Sequence, residues 1–305
     1  MKYKVIIDTD PGIDDMVALT IALAKSDVFD IKLISTVFGN VNVEQNTKNT
    51  LFLLNAMKRK DIKLVKGAKA SIANKSINAE NVHGKNGLGG FKIKQKINIS
   101  NIRTDPIEAM KNVIENNKNK IILISLGPKT NIANLFTKYP HVINLIKTHI
   151  CMGGSLFGRG NITPLSEFNV YADPLAFKIV TEQKKLKTII SPMEIGEQLI
   201  FSQEIANEIK KINSIGNFFS QMWLGYKNKS NQITIQNHDV ALIIYLLNKK
   251  IFKTSGYDIE TSKNGQTIMK KDKNSNTKVI VSASALRYIN FFKKIISGIK
   301  TKISI

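Results

Sequence analysis

The sequence predicts an α/β fold, an open, Rossmann-like, mostly parallel sheet flanked by helices. Residues 3–9 are apolar and β-branched, which predicts a buried strand. Residues 13–25 repeat apolar side chains at helical spacing, and residues 31–37 predict a second strand. A strand, a helix and a strand within about 35 residues form a βαβ unit, whose two strands run parallel. We therefore expect a ligand site beyond the carboxyl ends of the strands.

The rest of the chain continues this alternation. Asp105-Pro106-Ile107-Glu108, for example, has the N-cap, the first-turn proline and the acid of a helix start. The further predicted strands are residues 62–65, 120–126, 147–152 and 186–191, and the further predicted helices are residues 43–57, 105–117, 174–181, 202–211, 213–226, 240–247 and 285–299, with one more beginning near residue 129. Residues 266–271 and 277–282 alternate like the two strands of a hairpin.

No linker, internal repeat or composition shift divides the chain, so we expect one domain over residues 1–305. Residues 66–100 and 155–171 predict long loops, and loops of that length in a compact domain are usually functional. We expect lid-like loops near residues 66–100 and 220–238.

The formal net charge of +22 raises the question of nucleic-acid binding. Only four residues are arginines, whereas readers of bases and phosphates usually use arginine forks. The lysines are scattered along the chain, which favours a solvated surface, and we expect no specific nucleic-acid partner.

No apolar run reaches the length of a membrane span, and the first residues do not resemble a signal peptide. We therefore expect no membrane association and a cytoplasmic location. Cys151 is the single cysteine, which excludes an intrachain disulfide.

Four carboxylates, Asp8, Asp10, Asp14 and Asp15, surround a Pro-Gly turn directly after the first strand. Carboxylates this close repel one another, and their burial costs further free energy unless a cation binds. Three interpretations are open: a metal site, the nucleophile loop of a phosphatase, and a solvated helix N-terminus whose acids complement the helix dipole. The cost of the cluster favours the metal site.

Other predicted strand ends also carry polar residues, and parallel topology brings such ends to one edge of the sheet. These are residues 39–40, 126–131, 161–169 and 238–239. Their side chains are carboxylates, asparagines and one or two histidines, without the Cys/His set of a zinc site. An all-oxygen site of this kind suits calcium or magnesium.

At this point the residues resemble a known family. The segment Asp8-Thr9-Asp10-Pro11-Gly12-Ile13-Asp14-Asp15 resembles the signature of the calcium-dependent nucleoside hydrolases of the inosine-uridine preferring type. The resemblance continues in order through Phe38-Gly39-Asn40-Val41, His83-Gly84 with Gly87-Leu88, Leu126-Gly127-Pro128 with Thr130-Asn131, Met152-Gly153-Gly154, Gly160-Asn161, Glu167-Phe168-Asn169, Asp173-Pro174 and His238-Asp239. Several ordered blocks are far more specific than a single Asp-x-Asp.

The resemblance implies the nucleoside hydrolase fold, with its active site at the carboxyl ends of the strands. It also implies hydrolysis of the N-glycosidic bond of ribonucleosides to free base and ribose, using a Ca²⁺-bound water. The carboxylates of Asp10, Asp15 and Asp239 and the carbonyl of Leu126 would bind the calcium. Calcium acidifies its water less than zinc does, so a separate general base is needed, and Asp10 is placed to serve. Asp8 would lie behind these ligands and orient them.

The same resemblance assigns the sugar. Asp14, Asn40 and Asn169 would hold the 2′- and 3′-hydroxyls, and Asn161 and Glu167 would hold the 5′-hydroxyl. Because a carboxylate repels a 5′-phosphate, we predict a preference for nucleosides over nucleotides.

At the base, His238 resembles the acid that protonates the leaving group, and His83 would contact the base. Tyr226 and Trp223 could stack on the base, although helix packing explains Tyr226 equally well and Trp223 better. The resemblance further implies a homodimer or a homotetramer.

Three residues, Lys129, Ser166 and Val240, depart from the usual family pattern without removing a proposed ligand. Two alternatives stay open. A haloacid-dehalogenase-like Mg²⁺ phosphatase would use Asp8 as nucleophile, but it leaves the later blocks unexplained. A non-catalytic ribose- or nucleoside-binding protein would keep the pocket without turnover.

Overall fold

A computed structural model describes residues 2–226, 234–301 and 303 of the chain. Within these residues the strands are Tyr3–Thr9 (β1), Phe29–Thr36 (β2), Leu64–Lys66 (β3), Ile121–Ser125 (β4), Ile146–Met152 (β5), Thr188–Ser191 (β6), Ile200–Ser202 (β7), Thr234–Gln236 (β8), Phe252–Thr261 (β9), Thr267–Lys271 (β10) and Thr277–Ala283 (β11). The α-helices are Ile13–Ala24 (α1), Val43–Ala56 (α2), Glu80–His83 (α3), Pro106–Glu115 (α4), Thr130–Lys138 (α5), Phe168–Ala172 (α6), Pro174–Thr181 (α7), Met193–Gln198 (α8), Gln203–Lys210 (α9), Ser214–Trp223 (α10), His238–Leu247 (α11) and Ala285–Gly298 (α12). Short 3₁₀ helices lie at Pro140–Leu145, Leu224–Tyr226 and Lys249–Ile251.

The main sheet has the strand order β10-β9-β11-β6-β5-β4-β1-β2-β3. Every adjacent pair from β11 to β3 is parallel, whereas β9 runs antiparallel to both of its neighbours. The short strands β7 and β8 form a separate antiparallel pair. The predicted α/β fold with a mostly parallel sheet is therefore confirmed.

Alternate residues of the central strands pack against helices on opposite faces of the sheet. In β1, Val5 and Ile7 belong to a large core shared with α1, α2, α10, α11 and α12. Ile6 belongs to a smaller core shared with α4, α5 and α7. Because helices cover both faces, the central strands are almost continuously apolar.

The connections reverse direction at β1. The chain passes from β1 to β2 and β3 on one side, and later returns to β4, β5 and β6 on the other side. Ligands bind at such a switch point in open α/β sheets, beyond the carboxyl ends of the strands. Here the carboxyl end of β1 leads to Asp10 and that of β4 leads to Leu126, while α1 packs against α11 beside them.

The hairpin expected from residues 266–271 and 277–282 is wrong. Both segments form strands, but each pairs with β9, which lies between them. The sequence of β9 hides its strand character, because Gly256 and several polar side chains interrupt the alternation of apolar residues.

Two segments expected to be loops contain short helices: α3 lies within residues 66–100, and α6 begins inside residues 155–171 and ends one residue after them. Helices of four or five residues are too short to show a periodic pattern in sequence. Of the expected lid-like segment 220–238, residues 227–233 lie outside the described residues. None of the helices in the described ranges is long and apolar enough to cross a membrane.

Candidate active site

A cavity of about 300 Å³ opens where β1, β4 and β5 end. Most of the side chains singled out from the sequence line it: Asp10, Asp14, Asn40, His83, Leu126, Asn161, Glu167, Asn169, Tyr226, His238 and Asp239. Asp8 and Asp15 lie behind the cavity wall, and both are fully buried. The volume lies at the lower end of the range for small-molecule pockets.

The turn after β1 brings three segments into contact. The Asp15 carboxylate accepts hydrogen bonds from the Thr9 hydroxyl at 2.6 Å, from the Gly12 amide at 3.1 Å and from Asn40 Nδ2 at 3.0 Å. A Cβ atom at Gly12 would lie 2.6 Å from Asn40 Nδ2 and 2.8 Å from His83 Nδ1. Glycine is therefore required for α1 to begin so close to the neighbouring loops.

Three buried carboxylates converge at one point of the site. Asp14, Asp15 and Asp239 each offer an oxygen, and these oxygens lie within 4.8 Å of one another. Burial and the Asp15 carboxylate raise the pKa of Asp14 to about 7. Burial, with Asp14 and Asp15, raises the pKa of Asp239 well above its usual range, and burial also raises the pKa of Asp15.

The raised pKa values reflect the cost of holding several negative charges together away from water. A divalent cation at this point would remove that cost. The donors are carboxylate oxygens, which suit a hard cation such as Ca²⁺ or Mg²⁺. The cluster of Asp14, Asp15 and Asp239 therefore fits a metal ion.

Asp10 lies next to this group of three but does not belong to it. Its Oδ2 accepts a hydrogen bond from the Asn40 amide at 2.8 Å, and its carboxylate rests against Gly127, where a Cβ atom would lie 2.2 Å from Oδ1. Burial and the Asp15 carboxylate raise the pKa of Asp10 well above its usual range. The resemblance assigned Asp10 to the metal and Asp14 to the sugar, whereas the structure groups Asp14 with Asp15 and Asp239.

The carbonyl of Leu126 also faces the cavity wall. It accepts a hydrogen bond from Asn169 Nδ2 at 2.7 Å, and the same Asn169 nitrogen lies 3.1 Å from Met152 Sδ. A carbonyl oxygen has two lone pairs, so this contact leaves one of them for a further partner.

Behind the wall, Asp8 is held by two side chains. Its Oδ1 accepts hydrogen bonds from the Ser35 hydroxyl and from Asn131 Nδ2 at 2.8 Å. Its Oδ2 has no hydrogen-bond partner among the described residues. Burial raises the pKa of Asp8 to about 6, although the hydrogen bonds from Ser35 and Asn131 lower it.

Glu167 and Asn161 form the opposite end of the cavity. The Glu167 carboxylate caps α6, accepting hydrogen bonds from the amides of Asn169 at 2.9 Å and Val170 at 3.2 Å, and it also accepts one from the Gly154 amide at 2.9 Å. Asn161 Oδ1 accepts a hydrogen bond from the Phe168 amide at 2.9 Å. Both side chains are therefore held by backbone before any ligand arrives.

His83 and Tyr226 meet at the other side of the cavity. His83 Nδ1 accepts a hydrogen bond from the Ile13 amide at 3.1 Å, and burial lowers the pKa of His83 to about 4. A neutral imidazole that accepts at Nδ1 carries its proton at Nε2. The Tyr226 ring meets His83 edge-on with 5.9 Å between ring centroids, and burial together with the nearby Asp14 carboxylate raises the pKa of Tyr226 well above its usual range.

His238 begins α11, one residue before Asp239. Its Nε2 lies 3.2 Å from Gln236 Oε1, and its Nδ1 has no hydrogen-bond partner among the described residues. A Cβ atom at Gly196 would lie 2.1 Å from this Nδ1, so a glycine in α8 makes room for the ring. Burial lowers the pKa of His238 to about 4, although the Glu194 carboxylate acts in the opposite direction.

Sequence reasoning missed several residues at this end. Gln236 and Thr234 line the cavity from β8, and no motif marks them. Glu194 is buried, and its carboxylate accepts hydrogen bonds from the Ser155 hydroxyl at 2.7 Å and from the backbone amides of Leu156 and Phe157. These contacts hold the loop after β5. Trp223 is buried among Phe201, Phe219 and Phe292 in the core and does not line the cavity.

The chain matches one protein family over most of its length. The family model for "inosine-uridine preferring nucleoside hydrolase" matches residues 5–290. The non-specific ribonucleoside hydrolase RihC of Salmonella newport is 32% identical over 265 residues, which cover 87% of this chain and 85% of the relative. The RihC protein of Escherichia coli is 32% identical over 252 residues, which cover 83% of this chain and 81% of the relative.

Solved structures show the same fold. The plant nucleoside hydrolase PpNRh1 superimposes with a TM-score of 0.88 at 24% identity, covering 98% of this chain and 100% of its own. The purine-preferring ribonucleoside hydrolase of Gardnerella vaginalis superimposes with a TM-score of 0.87 at 22% identity, covering 99% of this chain and 100% of its own.

Proposed function

This chain belongs to the inosine-uridine preferring nucleoside hydrolase family and is a nucleoside N-ribohydrolase, and on that premise we propose that it releases free base and ribose from ribonucleosides with Ca²⁺ as its metal. The observation that carries this proposal is the convergence of the buried carboxylates of Asp14, Asp15 and Asp239 in one cavity. Residues 1–305 would act as a single nucleoside hydrolase domain.

The proposed calcium ligands are the carboxylates of Asp10, Asp15 and Asp239 and the carbonyl of Leu126, with Asp14 close enough to join them or to face the sugar. Bound there, Ca²⁺ would hold a water and the ribose 2′- and 3′-hydroxyls and lower the pKa of the water. Carboxylates are favoured over neutral ligands because the ribosyl group becomes an oxocarbenium-like cation during cleavage, and negative charge beneath it stabilises that cation.

Asp10 is the proposed general base. Its carboxylate lines the cavity next to the proposed metal position, where it can accept a proton from a water. The Asn40 amide occupies its Oδ2, which leaves the other oxygen, Oδ1, for a proton from the attacking water. Asn40 and Asn169 are proposed to hold the ribose hydroxyls, because both line the cavity beside this carboxylate.

The departing base gains electrons and needs a proton or a hydrogen bond. His83 is proposed to donate from Nε2, because its Nδ1 is already occupied by the Ile13 amide. His238 is proposed to supply the proton. Because burial lowers the pKa of His238 to about 4 and keeps the ring neutral near pH 7, His238 would act as a relay: one ring nitrogen would give its proton to the base while the other takes a proton from water. Tyr226 would close this end by packing against the base.

At the sugar's far end, Asn161 and Glu167 are proposed to bind the 5′-hydroxyl. The Glu167 carboxylate would repel a 5′-phosphate, so nucleosides are the expected substrates despite the basic surface. Equal turnover of inosine and its 5′-monophosphate would contradict this assignment. Turnover of the monophosphate that rises in Glu167→Gln would support it.

The decisive test measures free base and ribose from a panel of purine and pyrimidine ribonucleosides, before and after removal of metal by a chelator. We expect activity to be lost with the chelator and restored by Ca²⁺. Phosphate release from a phosphomonoester would instead favour the phosphatase, and binding of ribose without turnover would favour a binding protein. Neither alternative is favoured by the family match. A homo-oligomeric state and a cytoplasmic location stay predictions, and light scattering tests the first.

A further inference from the structure

Lys129 is a lysine with no exposed surface, next to the candidate active site. Its side chain is 0% exposed, and the residue stands immediately before α5 at the carboxyl end of β4. Lysine is almost never fully buried unless its charge is matched by partners. The contacts of this ammonium group therefore require an explanation.

The partners of the ammonium are three backbone carbonyls. Nζ donates to the carbonyl oxygen of Ser125 at 3.3 Å and to that of Met152 at 2.7 Å. It also donates to the carbonyl oxygen of Gly127. An ammonium group has three N–H donors, so the three carbonyls satisfy it. No carboxylate of the described residues forms a salt bridge with it.

Two of these carbonyls flank Leu126, whose own carbonyl is the proposed metal ligand, and the third belongs to the end of β5. Asn169 Nδ2 connects the same two strand ends from the cavity side, through the Leu126 carbonyl and Met152 Sδ. Lys129 connects them as well, but it does not line the cavity. Gly127, which Lys129 holds, is also the residue on which the Asp10 carboxylate rests.

We infer that Lys129 is a positioning residue for the metal site, because its three hydrogen bonds fix the peptide planes on both sides of the Leu126 carbonyl. This inference rests on the proposed function. The hydrogen bonds and the charge of Lys129 act in opposite directions. Loss of the hydrogen bonds should loosen a metal ligand, whereas loss of a positive charge alone should make a cation bind more tightly.

The test is a titration of metal-free protein with Ca²⁺, followed by calorimetry or by competition with Tb³⁺ luminescence, so that the measurement does not depend on turnover. Lys129→Met removes the hydrogen bonds and the charge while keeping the length. Lys129→Gln removes the charge but keeps an amide donor. Lys147→Met, which removes an exposed lysine from β5, is the matched control.

We expect Ca²⁺ to bind at least about 10-fold more weakly to Lys129→Met, since residues that orient metal ligands typically contribute 10- to 100-fold to affinity. Lys129→Gln should fall between Lys129→Met and the wild-type protein, and Lys147→Met should match the wild type. kcat at saturating Ca²⁺ should fall in the same order.

Unchanged or tighter Ca²⁺ binding by a folded Lys129→Met protein would overturn the inference, even if its melting temperature were lower. If Lys129→Met does not fold, Lys129→Gln decides, and an affinity equal to or above that of the wild type would overturn it. If the wild-type protein itself binds no Ca²⁺, the proposed function fails first, so the two failures can be told apart.

Discussion

The two ends of the cavity are built in different ways. At the metal end, the side chains of Asp15, Asp239 and Asn40 come from helix starts and a strand end, and each is less than a tenth exposed. At the base end, Tyr226 and Gln236 lie on either side of residues 227–233, and Gln236 is exposed. On the proposed function, this difference predicts that the sheet and its helices hold the groups that act on the glycosidic bond, whereas the preference for a base depends on segments outside the sheet.

The largest effect should follow from a change at the metal end. Asp10→Asn removes the proposed general base without changing its size, and we expect kcat to fall about 10³-fold for every nucleoside. Because the substitution relieves repulsion among buried carboxylates, the melting temperature of the metal-free protein should not fall. Steady-state kinetics and thermal melts check both expectations. Full hydrolysis by Asp10→Asn would show that Asp10 is not the general base.

The next largest effect is expected at His238 and should depend on the leaving group. His238→Ala should lower kcat about 10²-fold for inosine and uridine, because their bases need a proton to leave. The same variant should cleave p-nitrophenyl riboside almost as fast as the wild type, since that leaving group departs unprotonated. Equal losses on both kinds of substrate would show that His238 does not act on the leaving group.

A smaller and base-dependent effect is expected at His83. His83→Asn keeps an acceptor for the Ile13 amide and loses the Nε2 donor, so kcat/KM should fall roughly 10-fold, the equivalent of about 1.4 kcal/mol for one hydrogen bond to the base. The loss should differ between purine and pyrimidine nucleosides, while inhibition by free ribose stays unchanged. His83→Ala, which also leaves the Ile13 amide unpaired, should lower the melting temperature as well. An identical loss of kcat/KM for all nucleosides would show that His83 supports the loop structure and does not contact the base.

The last effect concerns the pH dependence of stability, not turnover. Folding raises the pKa of the clustered carboxylates, to about 7 for Asp14, so the metal-free protein should lose stability as the pH rises from about 4 to 7. His83 and His238, with pKa values lowered to about 4, oppose this trend because their contribution is lost as the pH falls below about 6.5.

Bound Ca²⁺ should offset the loss of stability that the clustered carboxylates cause at higher pH. At 100 times its dissociation constant it contributes about 2.7 kcal/mol, and the gain in melting temperature should be larger at pH 8 than at pH 5. Mg²⁺ should give a smaller gain, because it requires a tighter octahedral site. A gain independent of pH would indicate that the metal binds away from the raised carboxylates.

Much of the site could be predicted from sequence because its residues follow strand ends. The Pro-Gly turn after β1 and the polar residues after β4 mark positions that parallel topology must bring together. The grouping of Asp14 with Asp15 and Asp239 could not be predicted, since the rotation of the first turn of α1 against α11 decides which carboxylates meet. Gln236 was missed as a site residue because it stands in no motif. Lys129 was noticed only as a departure from the family pattern, because a lysine at that position does not indicate its role.

In the fold, too, some elements could be predicted from the sequence and others could not. The parallel strands β1 to β6 were predicted because both of their faces are covered and their sequences are almost continuously apolar. β9 was missed because its pairing with β10 and β11 stabilises a sequence that carries little strand signal of its own.

The distance in sequence between Asp15 and Asp239 has a consequence for synthesis of the protein. The two carboxylates are more than two hundred positions apart, and they meet only when α11 packs against α1. A nascent chain that has not yet released α11 from the ribosome carries two of the three clustered acids and therefore an incomplete cation site. The enzyme should thus acquire its metal, and with it the capacity to consume nucleosides, only after most of its sheet has folded.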